Sequence, residues 1–225
     1  MTAWCVHFAL VHGTTQSPAG WGLLAAPLVD AGHVVTLIDL GGLPDDSTFA
    51  EFGREAVAQL PSGRADVVVA HSGSGLLLPA IASLSGARLQ VFLAAFIPDG
   101  TRSLLDELND DPAVIFHPEW IGVDPTVDHD AARRFLFHDC SEDTIEWALG
   151  TLRRFQPVTA YHETVSLASD VAAVVIVPDD DRTVRSEWMT DATKRRLGIE
   201  PMMIDGGHCP HVSRPAELAQ LLVGL

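Results

Sequence analysis

Long apolar runs are missing from this 225-residue chain: no stretch approaches the roughly 18–20 uninterrupted apolar residues that a bilayer-spanning helix needs. Cations are scarce as well, with 14 Lys and Arg against 30 Asp and Glu, a formal net charge of -16. Holding a phosphate backbone takes clustered Lys and Arg, so nucleic acid is excluded as a partner. The acidity reads as a soluble, self-repelling surface. Cysteines number three, Cys5, Cys140 and Cys209, scattered and without a pairing framework, which fits a reducing compartment and no structural disulfide. His208-Cys209 with His211 lacks a second Cys/His cluster at finger-like spacing, so no metal is expected. No sequence feature asks for a cofactor either. Met1–Val11 has no Lys or Arg before its apolar stretch and no cleavage-like region after it; it reads as a core strand, with the protein cytoplasmic and without a membrane partner. Repeats, low-complexity tracts and linkers are absent too, so the expectation is one domain over residues 1–225.

What is present is alternation. Short β-branched runs (Trp4–Val11, Val34–Asp39, Asp66–His71, Arg88–Phe96, Ala173–Val177 and Pro201–Asp205) are nearly continuous in apolar character, as strands covered on both faces must be. Between them Pro18–Ala31, Thr48–Leu60, Gly73–Leu84, Val184–Leu197 and Pro215–Leu222 read as helices, with Pro215 suited to a first helical turn. The pattern predicts an α/β fold, a mostly parallel sheet flanked by helices. Residues from about 98 to 168 break it. They offer helices around Ala131–His138 and Ser141–Phe155 and turn chemistry at Asn109–Pro112 and Gly122–Pro125, as a helical lid inserted between two strands would.

The densest chemical signal is Val67-Val68-Val69-Ala70-His71-Ser72-Gly73-Ser74-Gly75, an apolar strand running straight into a serine and a small-residue helix. That is the setting of a nucleophile elbow, where a sharp turn lifts the serine oxygen above the sheet edge. Strand and helix pass closely there, so the residues two before and two after the serine must be small. Ala70 and Ser74 satisfy this for Ser72; for Ser74 one of them would be Leu76, which is too bulky. A phosphate-binding reading fails because the lysine it requires is missing after Gly75.

A nucleophilic serine needs a base. Of ten histidines, His208 alone follows a strand on a Gly-rich turn, Asp205-Gly206-Gly207, with a closing helix behind it. His7, His33 and His129 read as structural. Around such elbows the chain order is Ser, acid, His. The end of the fifth strand supplies Asp179, Asp180 and Asp181, of which residues alone do not choose one. The turn Val11-His12-Gly13-Thr14 places backbone N–H groups at the same sheet edge. Thr14 N–H and Gly73 N–H form the expected oxyanion pair.

These residues, in this order, resemble the α/β-hydrolase superfamily over essentially the whole chain. Within it the sequence is similar to the compact subgroup of plant methylesterases and hydroxynitrile lyases with their bacterial relatives. The resemblance rests on Leu10-Val11-His12-Gly13 with Trp21, Ala70-His71-Ser72-Gly73, Asp181-Arg182, and Gly206-Gly207-His208 with Ser213-Arg214-Pro215. It implies a Ser72–His208–Asp181 triad, since Asp181-Arg182 best matches an acid followed by a charged residue at a helix start. The lyases of the subgroup carry lysine after the histidine, where this chain has Cys209, and some carry a threonine hydroxyl where it has Gly13. Cyanohydrin cleavage is thereby disfavoured.

The resulting expectation is a serine hydrolase acting through an acyl-enzyme on a small or medium apolar ester. Phe116, His117, Trp120, Trp147, Tyr161 and His162 are the expected pocket lining from the lid. Two rivals share the residues: a lyase or cyclase using His208 as base, and a ligand-binding module with a vestigial triad. Substrate identity and oligomeric state are not readable.

Overall fold

A computed structural model describes residues 5–168 and 170–225; Trp4, the first residue of the expected first strand, lies outside them. Six strands form one parallel sheet in the order β2-β1-β3-β4-β5-β6. They are β1 (His7–Val11), β2 (Val34–Ile38), β3 (Val67–His71), β4 (Leu89–Leu93), β5 (Ala172–Pro178) and β6 (Met202–Ile204). Every residue of β3 and β4 is buried, which is why these two runs carry no polar alternation. β3 pairs with β1 through Phe8↔Val67 to Val11↔Ala70 and with β4 through Val67↔Leu89 to His71↔Leu93. The carboxyl ends of β1 and β3 therefore finish side by side. The predicted fourth strand, Arg88–Phe96, overruns: Ala94 still donates its N–H to Ile176 O of β5, but its left-handed φ of 46° turns the chain out of the sheet after Leu93.

Helices cover both faces. On one lie α1 (Gly22–Asp30) and the C-terminal α11 (Pro215–Val223), burying Leu24, Leu28, Leu218 and Leu222 against Phe8, Leu10, Val69 and Val91. The other face takes α2 (Phe49–Ala58), α3 (Leu78–Ser85) and α9 (Ser186–Ala192), with Phe52, Ile81, Trp188 and Met189 packed on Ala9, Val68 and Phe92. The helix expected over Gly73–Leu84 opens instead as tight turns across Ser72–Leu76. A side chain on Gly75 would collide with the carbonyl of Phe96, so the elbow is pressed against the chain leaving β4. The helix expected over Val184–Leu197 likewise widens into a looser turn over Thr193–Leu197 and ends at Gly198, φ 69°.

Between β4 and β5 the chain forms α4 (Leu104–Asp110), α5 (Pro112–Ile115), α6 (His129–Ala131), which continues as a wide turn to Leu136, α7 (Glu142–Leu149) and α8 (Val158–His162). Short side-chain caps start all of these but α8: Ser103 and Asp106 form a reciprocal capping box on α4, and Asp111 caps α5. The helix expected over Ser141–Phe155 stops at Leu149. Residues beyond Gly150 run extended along the β1 loop instead: Ser17 N–H donates to Thr151 O at 3.1 Å, Arg153 N–H to Thr15 O at 3.2 Å, and Phe155 N–H to Thr14 O at 2.7 Å. Arg153 pins this strap by pairing with Asp39 at the end of β2. Tertiary hydrogen bonds outweigh a helix preference worth tenths of a kcal/mol per residue. The last turn, α10 (Pro210–Ser213), follows β6. Among the described residues no helix is long and apolar enough to cross a membrane.

Candidate active site

Ser72 begins where β3 ends and adopts a left-handed φ of 54°, rare for a residue with a side chain and worth about 1–3 kcal/mol of strain. Its surroundings hold it there. Phe96 N–H donates to Ser72 O at 3.1 Å, and the tight approach at Gly75 leaves no room for relaxation. Ser74, the other serine of the elbow, is fully buried and its hydroxyl donates to His12 O at 2.6 Å. Only the Ser72 hydroxyl opens onto the sheet edge with a base beside it.

That base is His208. Its Nε2 stands 3.0 Å from Ser72 Oγ and its Nδ1 2.7 Å from Asp181 Oδ2. The turn carrying it is tied down on both sides: Gly206 N–H donates to Asp179 Oδ1 at 2.8 Å and Gly207 N–H to Asp139 Oδ2 at 2.9 Å. Gly206 has a φ of 103°, and a side chain on Gly207 would meet His138 Nε2 at 2.6 Å. These glycines therefore serve close packing as well as bending.

The three adjacent aspartates separate by environment. Asp181 is buried; its second oxygen accepts from Thr183 N–H (2.8 Å), Thr183 Oγ1–H (3.0 Å) and Val184 N–H (3.1 Å). Asp179 braces the Gly206 turn, and Asp180 faces solvent beside Arg182 at 3.2 Å. Only Asp181 reaches His208.

Thr14 and Gly73 come into contact beside Ser72. A Cβ built on Gly73 would lie 2.5 Å from Thr14 Cγ2 and 3.1 Å from the Tyr161 hydroxyl. Gly13 is as constrained, since its Cβ would lie 2.7 Å from His71 Nδ1 and 3.2 Å from Ser72 Cβ. The β1 loop can approach the elbow only because both positions are glycine.

Three histidines that the sequence left without a role surround the relay. His71 Nε2–H donates to the backbone carbonyl of His208 at 2.8 Å. Burial, with His211 and His208 nearby, holds its pKa well below the usual imidazole value. His211 packs its ring 4.6 Å from His71 and 4.4 Å from Trp21, has no hydrogen-bond partner on either nitrogen, and is pushed down by burial to about 3. His12 falls to about 4 by burial; its Nδ1–H donates to Gly13 O at 2.9 Å and its Nε2 accepts from Leu40 N–H at 3.2 Å. The position of His71 next to Ser72 was the one available hint. Cys209 turns into the core, where it accepts from Gln16 Nε2 at 3.2 Å and burial raises its thiol pKa far above normal. Among the described residues no three His, Cys, Asp or Glu side chains converge as a metal site.

Ser72 and His208 open into a cavity of about 110 Å³. Of the lining expected from the sequence, Phe116, Trp120 and Tyr161 are there. His117, Trp147 and His162 are not. His117 lies in the turn after α5, where its own N–H donates to Thr183 O, Trp147 lies 37% exposed on α7 against Gly22, and His162 faces solvent at the end of α8. Their places are taken by Phe96, Leu104, Leu108 and Val184. Leu104 and Leu108, four apart and so on one face of α4, were visible in the sequence as a helical pair.

Comparison with known proteins identifies the family. The model of the alpha/beta hydrolase family matches residues 8–221. Methylesterase 8 of Arabidopsis thaliana is 27% identical over 97% of this chain and 89% of its own length. Norfluorocurarine synthase 2 of Strychnos nux-vomica is 24% identical over 96% of this chain and 94% of its own. Among solved structures, polyneuridine aldehyde esterase superposes with a TM-score of 0.79 at 22% identity, covering 98% of this chain and 99% of that one. The chain belongs to the alpha/beta hydrolase family and is an enzyme of the esterase type.

Proposed function

We propose that this enzyme hydrolyses small apolar carboxylic esters through an acyl-enzyme on Ser72. The observation that carries the reading is the unbroken relay Ser72 Oγ–His208 Nε2 (3.0 Å) and His208 Nδ1–Asp181 Oδ2 (2.7 Å), opening into an apolar cavity. In this mechanism His208 Nε2 takes the Ser72 proton as Oγ attacks the ester carbonyl. The oxyanion draws on the Thr14 and Gly73 amides, and Asp181 keeps Nδ1 protonated. His208 returns the proton to the departing alkoxide, and water then releases the acid by the same steps reversed. The cavity of about 110 Å³ is smaller than the ~150 Å³ that accommodates a benzene ring, which favours a short acyl group. The helical segment 98–168 serves as lid. A cytoplasmic setting goes with this proposal, since Cys5, Cys140 and Cys209 are free thiols.

A fluorophosphonate probe and a series of p-nitrophenyl esters test the reading. The expected result is covalent labelling at Ser72 and turnover that Ser72→Ala abolishes. Absence of both in the unmodified protein refutes it. Activity that survives Ser72→Ala but not His208→Ala assigns the site to base-only lyase or cyclase chemistry instead.

A further inference from the structure

Three successive cations, Lys194, Arg195 and Arg196, lie in the wide turn after α9. Lys194 and Arg195 pair with Glu200 and Asp191 at exposed positions. Arg196 turns inward: its side chain is 8% exposed, and that of its partner Glu107 on α4 is 12% exposed. The guanidinium meets the carboxylate with both ends of its fork, Nη2–H donating to Oε2 at 2.6 Å and Nη1–H to Oε1 at 3.2 Å. Nη1–H also donates to Ile97 O at 2.6 Å, where the chain leaves the sheet for the lid.

A desolvated ion pair adds little net stability, because removing two charges from water offsets most of their attraction. What a planar fork on a carboxylate supplies is fixed geometry. A groove of about 600 Å³ runs between the lid and α9, lined by Asp110, Val114, Trp188 and Asp191 among others, and the Arg196–Glu107 pair crosses it. The helix held in this way forms part of the site. Leu104 and Leu108 of α4 line the cavity beside Ser72, three residues from Glu107 and next to it. A second path leads to the same cavity. The Arg196 guanidinium lies 5.4 Å from the centre of the Trp188 ring. Trp188 packs edge-on against Phe96, and Phe96 against Phe116, with ring centres 5.6 Å apart in each case. Phe96 and Phe116 are cavity lining, whereas Arg196 itself is not.

We infer that Arg196 is a positioning residue that sets acyl-chain specificity: its fork on Glu107 and its bond to Ile97 O latch α4 to the body of the fold and hold the cavity to short chains. The inference rests on the esterase reading of this site.

The experiment compares p-nitrophenyl acetate with p-nitrophenyl octanoate in Glu107→Ala, Arg196→Met and the double variant, beside Leu104→Ala, which removes the wall itself. The octanoate-to-acetate ratio of kcat/KM should rise about tenfold in each single variant, the discrimination that a methylene or two carries in an apolar pocket. The rise should enter through KM for the octanoate rather than through kcat. The double variant should rise no further, because the two side chains act as one contact. It leaves neither charge buried without its partner, so it carries the test if a single variant fails to fold. Arg196→Lys, a point donor without the fork, should fall between Arg196→Met and the unmodified protein. An unchanged ratio in the folded double variant, or equal losses on both esters, overturns the inference and leaves the pair as structural. A second readout needs no turnover: amide hydrogen exchange over α4 should quicken in the double variant while α1 and α11 keep their protection. Unchanged exchange over α4 overturns the latch. Absence of turnover and of Ser72 labelling in the unmodified protein overturns the esterase reading instead.

Discussion

Asp181→Asn is the sharpest perturbation of the proposed relay, because the structure dictates how the amide must sit. Oδ1 of Asp181 accepts from Thr183 N–H, Thr183 Oγ1–H and Val184 N–H, all within 3.1 Å and buried. If the new amide turned its NH₂ toward them, two backbone N–H groups would lose their acceptor at about 1–3 kcal/mol each. The amide oxygen therefore keeps that side, and the NH₂ faces His208 Nδ1. Nδ1 must then accept, so the ring proton moves to Nε2, where it blocks transfer from Ser72 Oγ. Enforcing the wrong tautomer in a triad costs about 10⁴ in kcat, or about 5 kcal/mol of transition-state stabilisation. Steady-state turnover of a p-nitrophenyl ester measures the loss, and ¹⁵N NMR of His208 reports which nitrogen carries the proton. Asp180→Asn, at an exposed position, should stay within about twofold. The reasoning fails if Asp181→Asn keeps more than about one-hundredth of the activity, or if the larger loss falls on Asp180 or Asp179.

Three further outcomes follow from the surroundings. His211 is neutral and unpaired in the fold, with a pKa lowered from 6.5 to about 3, so the unfolded chain binds more protons and stability declines as pH falls from about 6.5 toward 3. His211→Phe should raise the melting temperature, and by more at pH ~5 than at pH ~8; an equal gain at both counts against the linkage. His71→Leu strands the buried His208 carbonyl at about 1–3 kcal/mol and should lower both the melting temperature and kcat, as thermal scans and ester turnover would register. Phe116→Ala or Trp120→Ala should shift the preferred acyl chain to longer lengths, whereas Trp147→Ala and His162→Ala should leave the chain-length profile in place.

Legibility in the sequence followed the range of the interactions. Strands covered on both faces are continuous apolar runs, so all six appear within a few residues of where they pair, and the alternation gives a parallel α/β sheet. The elbow was legible because close passage of strand and helix restricts side-chain size locally, which separates Ser72 from Ser74. Elements fixed by distant partners were not. The 151–155 strap looks helical in sequence, but Arg153 finds Asp39 and its backbone finds the β1 loop. Lid aromatics are similar in composition whether they face the cavity, like Trp120, or solvent, like Trp147.

The sequence alone determined the fold class, the order of the chemical groups along the chain, and Ser72 and His208 as residues just beyond the ends of two strands, because each is written in periodicity or in small residues within a few positions. Tertiary structure decided which aspartate faces the imidazole, which lid side chains surround Ser72, and that His71 holds the His208 carbonyl. Those choices depend on contacts between residues far apart along the chain, such as Gly73 with Tyr161 and His71 with His208, the latter 137 positions apart. Local preference carries no information about such pairs; only the register of the parallel strands and the path of the strap bring them together.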